Sequence, residues 1–325
     1  MKTTRTARAA LVASAAALVL AACGSSSDGG GTSPTASVGN LTGTVRIDGS
    51  STVAPLTSAA AELFKEVQPG VNVTVGTSGT GGGFEKFCRG ETDINDASRP
   101  IKDTETEACK TAGIDAVELT VAVDALTVVV NKENTWAKCL TVEQLNKMWA
   151  PDSQVNNWNQ VDPSFPDEEL KLFGAGTDSG TFDYFTDVIN GEEGASRTDY
   201  TPTEDDNVTV KGVEGSKGGL GYFGFTYFEE NADKLNAVEI DAGGGCVAPS
   251  VKTAQDGTYT PLSRPLFIYP SVKAIKENEA VRAFLEFYAA EDTAIAEAAL
   301  FIPLNEEQAT KLKADVAAAI TAAGA

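Results

Sequence analysis

Polar turns rich in Ser, Thr and Gly follow short alternating stretches of the chain and lead into amphipathic stretches. Residues 44–48 alternate between polar and apolar positions as a strand does, the turn 49–52 follows, and residues 55–67 then place apolar side chains at helical spacing. The same order recurs where the alternating residues 71–75 precede the Gly-rich turn 76–83. Strands that alternate with helices in this way predict an α/β fold.

A third turn of this kind opens the stretch 174–189, which reads GAGTDSGTFDYFTDVI. Asp178, Ser179 and Thr181 are residue types that cap helix starts, so a helix should begin here with free backbone N–H groups pointing back along its axis. Such a helix start attracts anions. One turn alone is most simply an ordinary capped helix, but three such turns in one chain favour an anion-binding site.

The first residues of the chain predict export and lipid attachment. Residues 1–22 carry three basic residues before an apolar run too short for a comfortable membrane span, which is typical of a signal peptide. Their end, LAAC, resembles the bacterial lipobox, in which the cysteine, here Cys23, is lipidated. Residues 23–40 are rich in Gly and Ser and predict a flexible tether. No later apolar run reaches 18 residues, so we expect an extracytoplasmic protein attached to the bacterial cell membrane by its lipid alone.

Four cysteines remain once Cys23 is assigned to the lipid: Cys88, Cys109, Cys139 and Cys246. An even number in an exported protein predicts two disulfides. A zinc site would need closer pairs than these spacings supply, so no metal is expected. Three pairings are possible, and we favour 88–109, which closes a short local loop and leaves 139–246.

Composition excludes several kinds of chemistry. The chain has no histidine, which removes Ser-His-Asp and Cys-His catalytic systems and metal sites that use histidine. Its 46 acidic residues against 25 Lys and Arg give a formal net charge of −21, and such a surface repels nucleic acid. An anion must therefore bind through local geometry, against the field of the whole protein.

The length of 325 residues exceeds a single typical core and predicts two domains or lobes. Residues 116–130 form a nearly continuous apolar run, which fits a buried strand or strands that cross between lobes, and residues 264–270 form another apolar strand. Arg99 lies in a turn of small residues just after a short strand. Trp149 and Trp158 are expected to be packing anchors and not ligand platforms.

The motifs SSTVAP, TSGTGGGF, DASRP, a block with two Trp residues, TDSGTF and GGLGY occur in one order along the chain. Together they resemble the substrate-binding protein of the high-affinity phosphate ABC importer, over about residues 41–305. The resemblance implies an α/β, two-lobed periplasmic-binding-protein fold with two hinge crossovers and a cleft between the lobes. Lobe one would comprise 41–125 plus 263–325, and lobe two would comprise 126–262.

The resemblance also implies phosphate-binding residues on both lobes. The principal positions are Ser51, Thr52, Ser78 and Arg99 from lobe one, and Asp178, Ser179, Gly180 and Thr181 from lobe two. Neighbouring positions that belong to the same turns are Ser50, Gly79, Thr80, Asp96 and Ser98. The neutral groups would donate hydrogen bonds to the anion, and closure of the hinge would expel water.

One departure from the family pattern concerns the charged residues. In the better-known branch an Asp follows the Ser of the lobe-one turn and an Arg lies just before the SGT motif. Here Arg99 occupies the first place, Ala175 lies near the second, and Asp178 directly precedes Ser179. Arg99 would then supply a bidentate bond to the anion, and Asp178, ahead of Asp96, would accept the proton of phosphate that sulfate lacks.

The resemblance implies a monomeric binding protein whose partners are inorganic phosphate and the transmembrane subunits of an ABC permease. No catalytic residue, cofactor, metal or nucleic acid is expected. Three alternatives stay open: a binder of another oxyanion such as sulfate or molybdate, a phosphate-ester hydrolase with Ser179 as nucleophile, and a surface module for adhesion or scaffolding.

Overall fold

The computed structural model describes residues 41–325. The predicted signal peptide at 1–22, the lipidated Cys23 and the tether at 23–40 lie outside the described residues. Among the helices within 41–325, none combines the length and the apolar character that crossing a bilayer requires.

The described chain alternates strands and helices along most of its length, which confirms the α/β class. The strands are β1 (Gly43–Gly49), β2 (Val71–Val75), β3 (Ile94–Ala97), β4 (Leu119–Asn131), β5 (Cys139–Thr141), β6 (Lys171–Ala175), β7 (Thr201–Thr203), β8 (Gly219–Gly224), β9 (Leu235–Ala237), β10 (Glu239–Asp241), β11 (Cys246–Val247) and β12 (Ser263–Pro270). The helices are α1 (Ala54–Val67), α2 (Gly79–Cys88), α3 (Asp103–Thr111), α4 (Val142–Trp149), α5 (Trp158–Val161), α6 (Gly180–Asn190), α7 (Asp206–Glu214), α8 (Phe225–Glu230), α9 (Val251–Gln255), α10 (Val272–Glu277), α11 (Glu279–Ala290), α12 (Asp292–Ala298) and α13 (Glu306–Ala322).

Most strands belong to one mixed sheet with the order β2-β1-β3-β12-β4-β8-β6-β7, in which β9 also pairs with β4. Strands β1, β2 and β3 run parallel to one another, and β6 runs parallel to β7 and β8. The pairs β3–β12, β12–β4 and β4–β8 are antiparallel. A second, small sheet has the order β11-β10-β5.

Strand β4 joins the two halves of the large sheet. Its residues 119–125 pair with β12, and its residues 126–130 pair with β8. The parallel and antiparallel pairings together mean that β1 runs in the same direction as β4, and that β6 runs in the opposite direction. The carboxyl ends of β1 and β6 therefore both point toward the middle of β4, from opposite sides. The turns that follow these two strands consequently face each other.

The core packs where the sequence placed apolar stripes. In α1, Leu56, Ala60 and Phe64 are buried, as the helical spacing predicts. Trp149 and Trp158 are fully buried, which confirms them as packing anchors. Trp149 packs edge-on against aromatic rings of α6 and β8, with ring centroids 5.1–5.4 Å apart, and contacts of this kind stabilise beyond the area they bury.

Both predicted disulfides are present. Cys88 pairs with Cys109 across 21 residues, and Cys139 pairs with Cys246 across 107 residues. The first bond ties α2 to α3, and the second ties β5 to β11 in the small sheet. The lobe boundaries predicted at 125 and 263 fall in or beside β4 and β12, and they remain predictions.

Candidate functional site

A cavity of about 830 Å³ lies where the turns before α1, α2 and α6 meet. Nine of the predicted site residues line it: Ser50, Ser51, Thr52, Ser78, Gly79, Thr80, Ser98, Arg99 and Gly180. The strand directions explain the convergence, because β1, β2 and β3 are parallel and end at one edge, which the turn after β6 faces. Each helix start carries about half a positive charge, so the cavity favours an anion.

Four predicted residues do not line this cavity. Asp178 is exposed in the turn before α6, and Asp96 is fully buried beneath the cavity in β3. Ser179 caps α6, because its Oγ accepts a hydrogen bond from the N–H of Thr181 at 3.2 Å. The structure thus brings the turns at 50–52, 78–80 and 98–99 together with Gly180, but it does not bring either candidate carboxylate to the cavity wall.

The turn before α1 is held in place by hydrogen bonds within the turn and to β3. Ser50 is buried, and its N–H donates to the carbonyl oxygen of Asp96 at 3.0 Å. The Oγ of Ser50 accepts a hydrogen bond from the N–H of Thr52 at 3.2 Å. The Oγ1 of Thr57 donates to Asp96 Oδ1 at 2.9 Å, and burial raises the pKa of Asp96 to about 8. Asp96 therefore supports the turn through its backbone and is held largely in its protonated form.

The turn before α2 is positioned by a carboxylate at the end of β1. Ser78 donates to Asp48 Oδ1 through its N–H, at 3.1 Å, and through its Oγ. Lys86 Nζ donates to Asp48 Oδ2 at 2.6 Å. Burial alone would raise the pKa of Asp48, but the hydrogen bonds from Lys86 and Ser78 outweigh it and hold that pKa below its usual value. Asp48 stays charged and orients Ser78.

Arg99 lines the cavity and is already paired with a carboxylate. Its Nη1 and Nη2 donate to the two oxygens of Glu105 at 2.9 and 2.7 Å, and Nη1 also donates to the carbonyl oxygen of Pro100 at 3.1 Å. The hydrogen bonds that Arg99 donates to Glu105 raise the pKa of Arg99 further. Nearby, the N–H of Ser98 donates to Thr80 Oγ1 at 3.2 Å, which joins the turn after β3 to α2.

The two sides of the cavity touch at Gly180. A Cβ added at this position would lie 2.4 Å from Thr52 Oγ1 and 3.1 Å from Thr52 N. Real Cβ atoms essentially never show a contact as short as the first of these, and the second leaves little room, so glycine lets the start of α6 approach the Thr52 turn this closely. The glycine of the SGT motif thus has a steric role in bringing the two turns together.

Sequence reasoning missed several charged residues of the cavity. Among residues 41–325, its lining includes the cations Lys102 and Arg264 besides Arg99, and the acids Asp183, Asp187 and Glu193. Burial raises the pKa of Asp183, and the negative charge of Glu193 adds to this effect. Asp183 was discoverable from its place in the first turn of the predicted helix. The sequence around Arg264 gave no indication of a site residue, because Arg264 is simply the first residue of an apolar stretch.

Comparisons with known proteins agree with this architecture. The model of the PBP superfamily domain matches residues 34–292. Protein SphX of Synechocystis sp. is 48% identical over 265 residues, which cover 81% of this chain and 79% of that protein. The phosphate-binding protein PstS of Staphylococcus saprophyticus is 39% identical over 284 residues, covering 87% of this chain and 86% of that protein.

A solved structure is similar as well. The crystal structure described as "a possible phosphate binding protein from Planctomyces limnophilus DSM 3776" has a TM-score of 0.81 and 50% identity, and the match covers 86% of this chain and 99% of that one. These matches confirm the expected periplasmic-binding-protein fold. The chain therefore belongs to the PBP superfamily and, within it, to the family that contains the SphX and PstS proteins.

Proposed function

We propose that this protein binds inorganic phosphate in the cavity between α1, α2 and α6 and passes it to the transmembrane subunits of an ABC permease. The names of the PstS relative and of the solved structure support the ligand, and the order of the motifs supports the importer. The observation that carries the proposal is the convergence of three helix starts, hydroxyl groups and guanidinium groups on one cavity.

The proposed ligands lie on opposite sides of the cavity. Ser51, Thr52 and Ser78 donate from the turns after β1 and β2, and Gly180, the SGT residue that lines the cavity, donates its N–H from the start of α6. Helix starts and hydroxyl groups hold an anion without a full counter-charge, and Arg99 adds a charge-assisted bond. We propose that the lobes divide at about residues 125 and 263 and close on the anion.

A carboxylate that accepts the proton of phosphate would give selectivity over sulfate. Asp183 fits this role better than the predicted Asp178, because Asp183 lines the cavity and Asp178 is exposed outside it. Sulfate has no proton to donate near pH 7, so it would face an unpaired, repelling carboxylate. We therefore propose Asp183 as the residue that distinguishes the two anions.

Isothermal titration calorimetry with phosphate, sulfate and molybdate tests the ligand. We expect phosphate to bind with a dissociation constant of about 1 μM or tighter, and the other two oxyanions to bind about 100-fold more weakly. Ser51→Ala should weaken phosphate binding, whereas Ser164→Ala, an exposed serine that donates to Asp162, should not. Equal affinities for the three oxyanions would contradict the proposal.

The hydrolase alternative needs its own measurement. A phosphate-ester turnover assay should give no rate above that of the buffer, because the chain has no histidine and the TDSGT turn offers Ser179 no lysine as a base. A rate that Ser179→Ala abolished would instead assign the protein to the hydrolases.

We further propose that the protein is exported and anchored by a lipid on Cys23, as a monomer. The lipobox-like end of residues 1–22 and the Gly-rich residues 23–40 support this proposal. Mass spectrometry of the membrane fraction should find a diacylglyceryl group on Cys23, and Cys23→Ala should release the protein. Light scattering of the released form should give the mass of one chain.

A further inference from the structure

Arg264 lines the cavity and is held by three partners. Its Nε donates to Asp124 Oδ2 at 3.2 Å, across the pair that joins β12 to β4. Its Nη2 donates to Thr52 Oγ1 at 3.1 Å. Its guanidinium carbon lies 3.6 Å from the centroid of the Tyr184 ring in α6. The side chain of Arg264 is only 16% exposed, and these partners hold its position in the structure.

These partners leave part of the guanidinium group able to bind an anion. A guanidinium carries five N–H donors in a rigid fork. The bonds to Asp124 and Thr52 use two of them, and stacking on Tyr184 covers one face of the plane without using any donor. Up to three donors of Arg264, including both hydrogens on Nη1, therefore remain for a ligand in the cavity.

Arg99 is more fully engaged. Its bonds to both oxygens of Glu105 and to Pro100 use three of its five donors, and both of its terminal nitrogens take part. The fork that would grip a phosphate is thus occupied by Glu105. Asp124, in contrast, contacts Arg264 through one oxygen, on the side of the guanidinium away from Nη1.

The partners of Arg264 also come from both sides of the cavity. Thr52 precedes α1, Tyr184 belongs to α6, and Asp124 lies in the strand that joins the two halves of the sheet. Thr52 is also the residue that touches Gly180 across the cavity. An anion bound to Arg264 is therefore held by a group whose position depends on the approach of the two sides.

We propose that Arg264 is a phosphate-binding residue and that it contributes more to the affinity than Arg99. This proposal rests on the proposed function, because it names a further residue of the same site. Arg264 offers the anion a positioned fork in the closed cleft, and Tyr184 and Asp124 are the residues that position it. Arg99 interacts with the anion mainly as a charge that Glu105 already compensates.

Matched substitutions by lysine test the proposal by calorimetry with phosphate. Arg264→Lys keeps the charge but loses the fork, and we expect its affinity to fall about 10- to 100-fold. Arg99→Lys should lose less than about fivefold. Arg282→Lys is the control, since Arg282 binds carbonyl oxygens at 275 and 276 and does not line the cavity. An equal or larger loss in Arg99→Lys, or a loss below threefold in Arg264→Lys, would overturn the proposal.

A second measurement uses the unaltered protein, so it does not depend on how a variant folds. Phenylglyoxal modifies arginine, and mass spectrometry gives the extent of modification at each position. Saturating phosphate should slow the modification of Arg264 more than that of Arg99, and the reverse order would overturn the proposal. If the wild-type protein gives no calorimetric signal with phosphate, the proposed function fails, and this is distinguishable from failure of the assignment of Arg264.

Discussion

Replacing Gly180 by Ala tests whether the contact between the start of α6 and the Thr52 turn belongs to the ligand-bound state. The added Cβ would lie 2.4 Å from Thr52 Oγ1, 3.1 Å from Thr52 N and 3.2 Å from Thr52 Cα. Two of these atoms belong to the backbone, so rotating the Thr52 side chain cannot remove all of the crowding. The hydrogen bond from Arg264 Nη2 to Thr52 Oγ1 further resists that rotation.

The expected loss follows from the distances. Carbon atoms pack best at about 3.5–4.0 Å, so the two turns must separate by several tenths of an ångström to about one ångström. Overpacking of this kind costs about 1–3 kcal/mol, which corresponds to an affinity about 5- to 150-fold weaker. On the proposed closure of the lobes, the unliganded protein relieves the crowding by opening, so the penalty falls on the closed, bound form. Calorimetry with phosphate measures this loss directly.

Two further variants make the test specific. Gly244→Ala is the control, since a Cβ there meets nothing within 4 Å, and its phosphate affinity should stay within twofold of wild type. Thr52→Ala removes the closest atom, so Gly180→Ala should cost less in that background, and a double-mutant cycle measures the difference. If Gly180→Ala binds phosphate within twofold of wild type, the contact is not part of the bound state.

Two remaining predictions concern carboxylates. The pKa of Asp96 is about 8 in the folded protein and about 4 in the unfolded chain. The contribution of Asp96 to the free energy of unfolding is therefore complete below about pH 4 and is lost as the pH rises to 8. The loss is up to about 1.4 kcal/mol per pH unit. Asp96→Asn should flatten this slope in urea unfolding between pH 5 and 8, and an unchanged slope would refute the assignment. Asp183→Asn should lower the phosphate-to-sulfate affinity ratio about 10- to 100-fold. A larger fall in Asp178→Asn would return the role to Asp178.

The turns of the site could be predicted because their signals are local. An alternating strand, a run of Ser, Thr and Gly, and a helical stripe lie next to one another in the sequence, and the structure places helix starts at Ala54 and Gly180 as expected. The second helix begins at Gly79, inside the stretch 76–83 that was predicted to be a turn. The disulfides were likewise limited to three pairings once Cys23 was assigned to the lipid. Most of the proposed ligands come from these turns, so most of these ligands were predictable, although most of the cavity wall was not.

The charged residues of the cavity were harder to predict because their positions depend on distant contacts. Arg264 meets Thr52 across 212 positions of sequence and Asp124 across 140. Both contacts depend on the register of β12 against β4, which includes an irregularity at Leu266 and Phe267. A shift of one residue would turn Arg264 to the other face of the sheet. No local pattern fixes that register, so sequence reasoning assigned Arg264 only to an apolar strand.

The pairing of both arginines bears on how the site can release its ligand. A binding protein that delivers an anion to a permease must empty its cavity repeatedly, and a lone buried cation would be left uncompensated each time, at a cost of several kcal/mol. Here Glu105 stays with Arg99 and Asp124 stays with Arg264. The helix starts and hydroxyl groups carry no full charge, so release of the anion leaves no uncompensated charge at these groups either. On the proposed function, this pairing lowers the affinity for the anion somewhat and makes its release easier. It also means that a chain of net charge −21 binds an anion through short contacts with neutral groups and with cations that are already compensated.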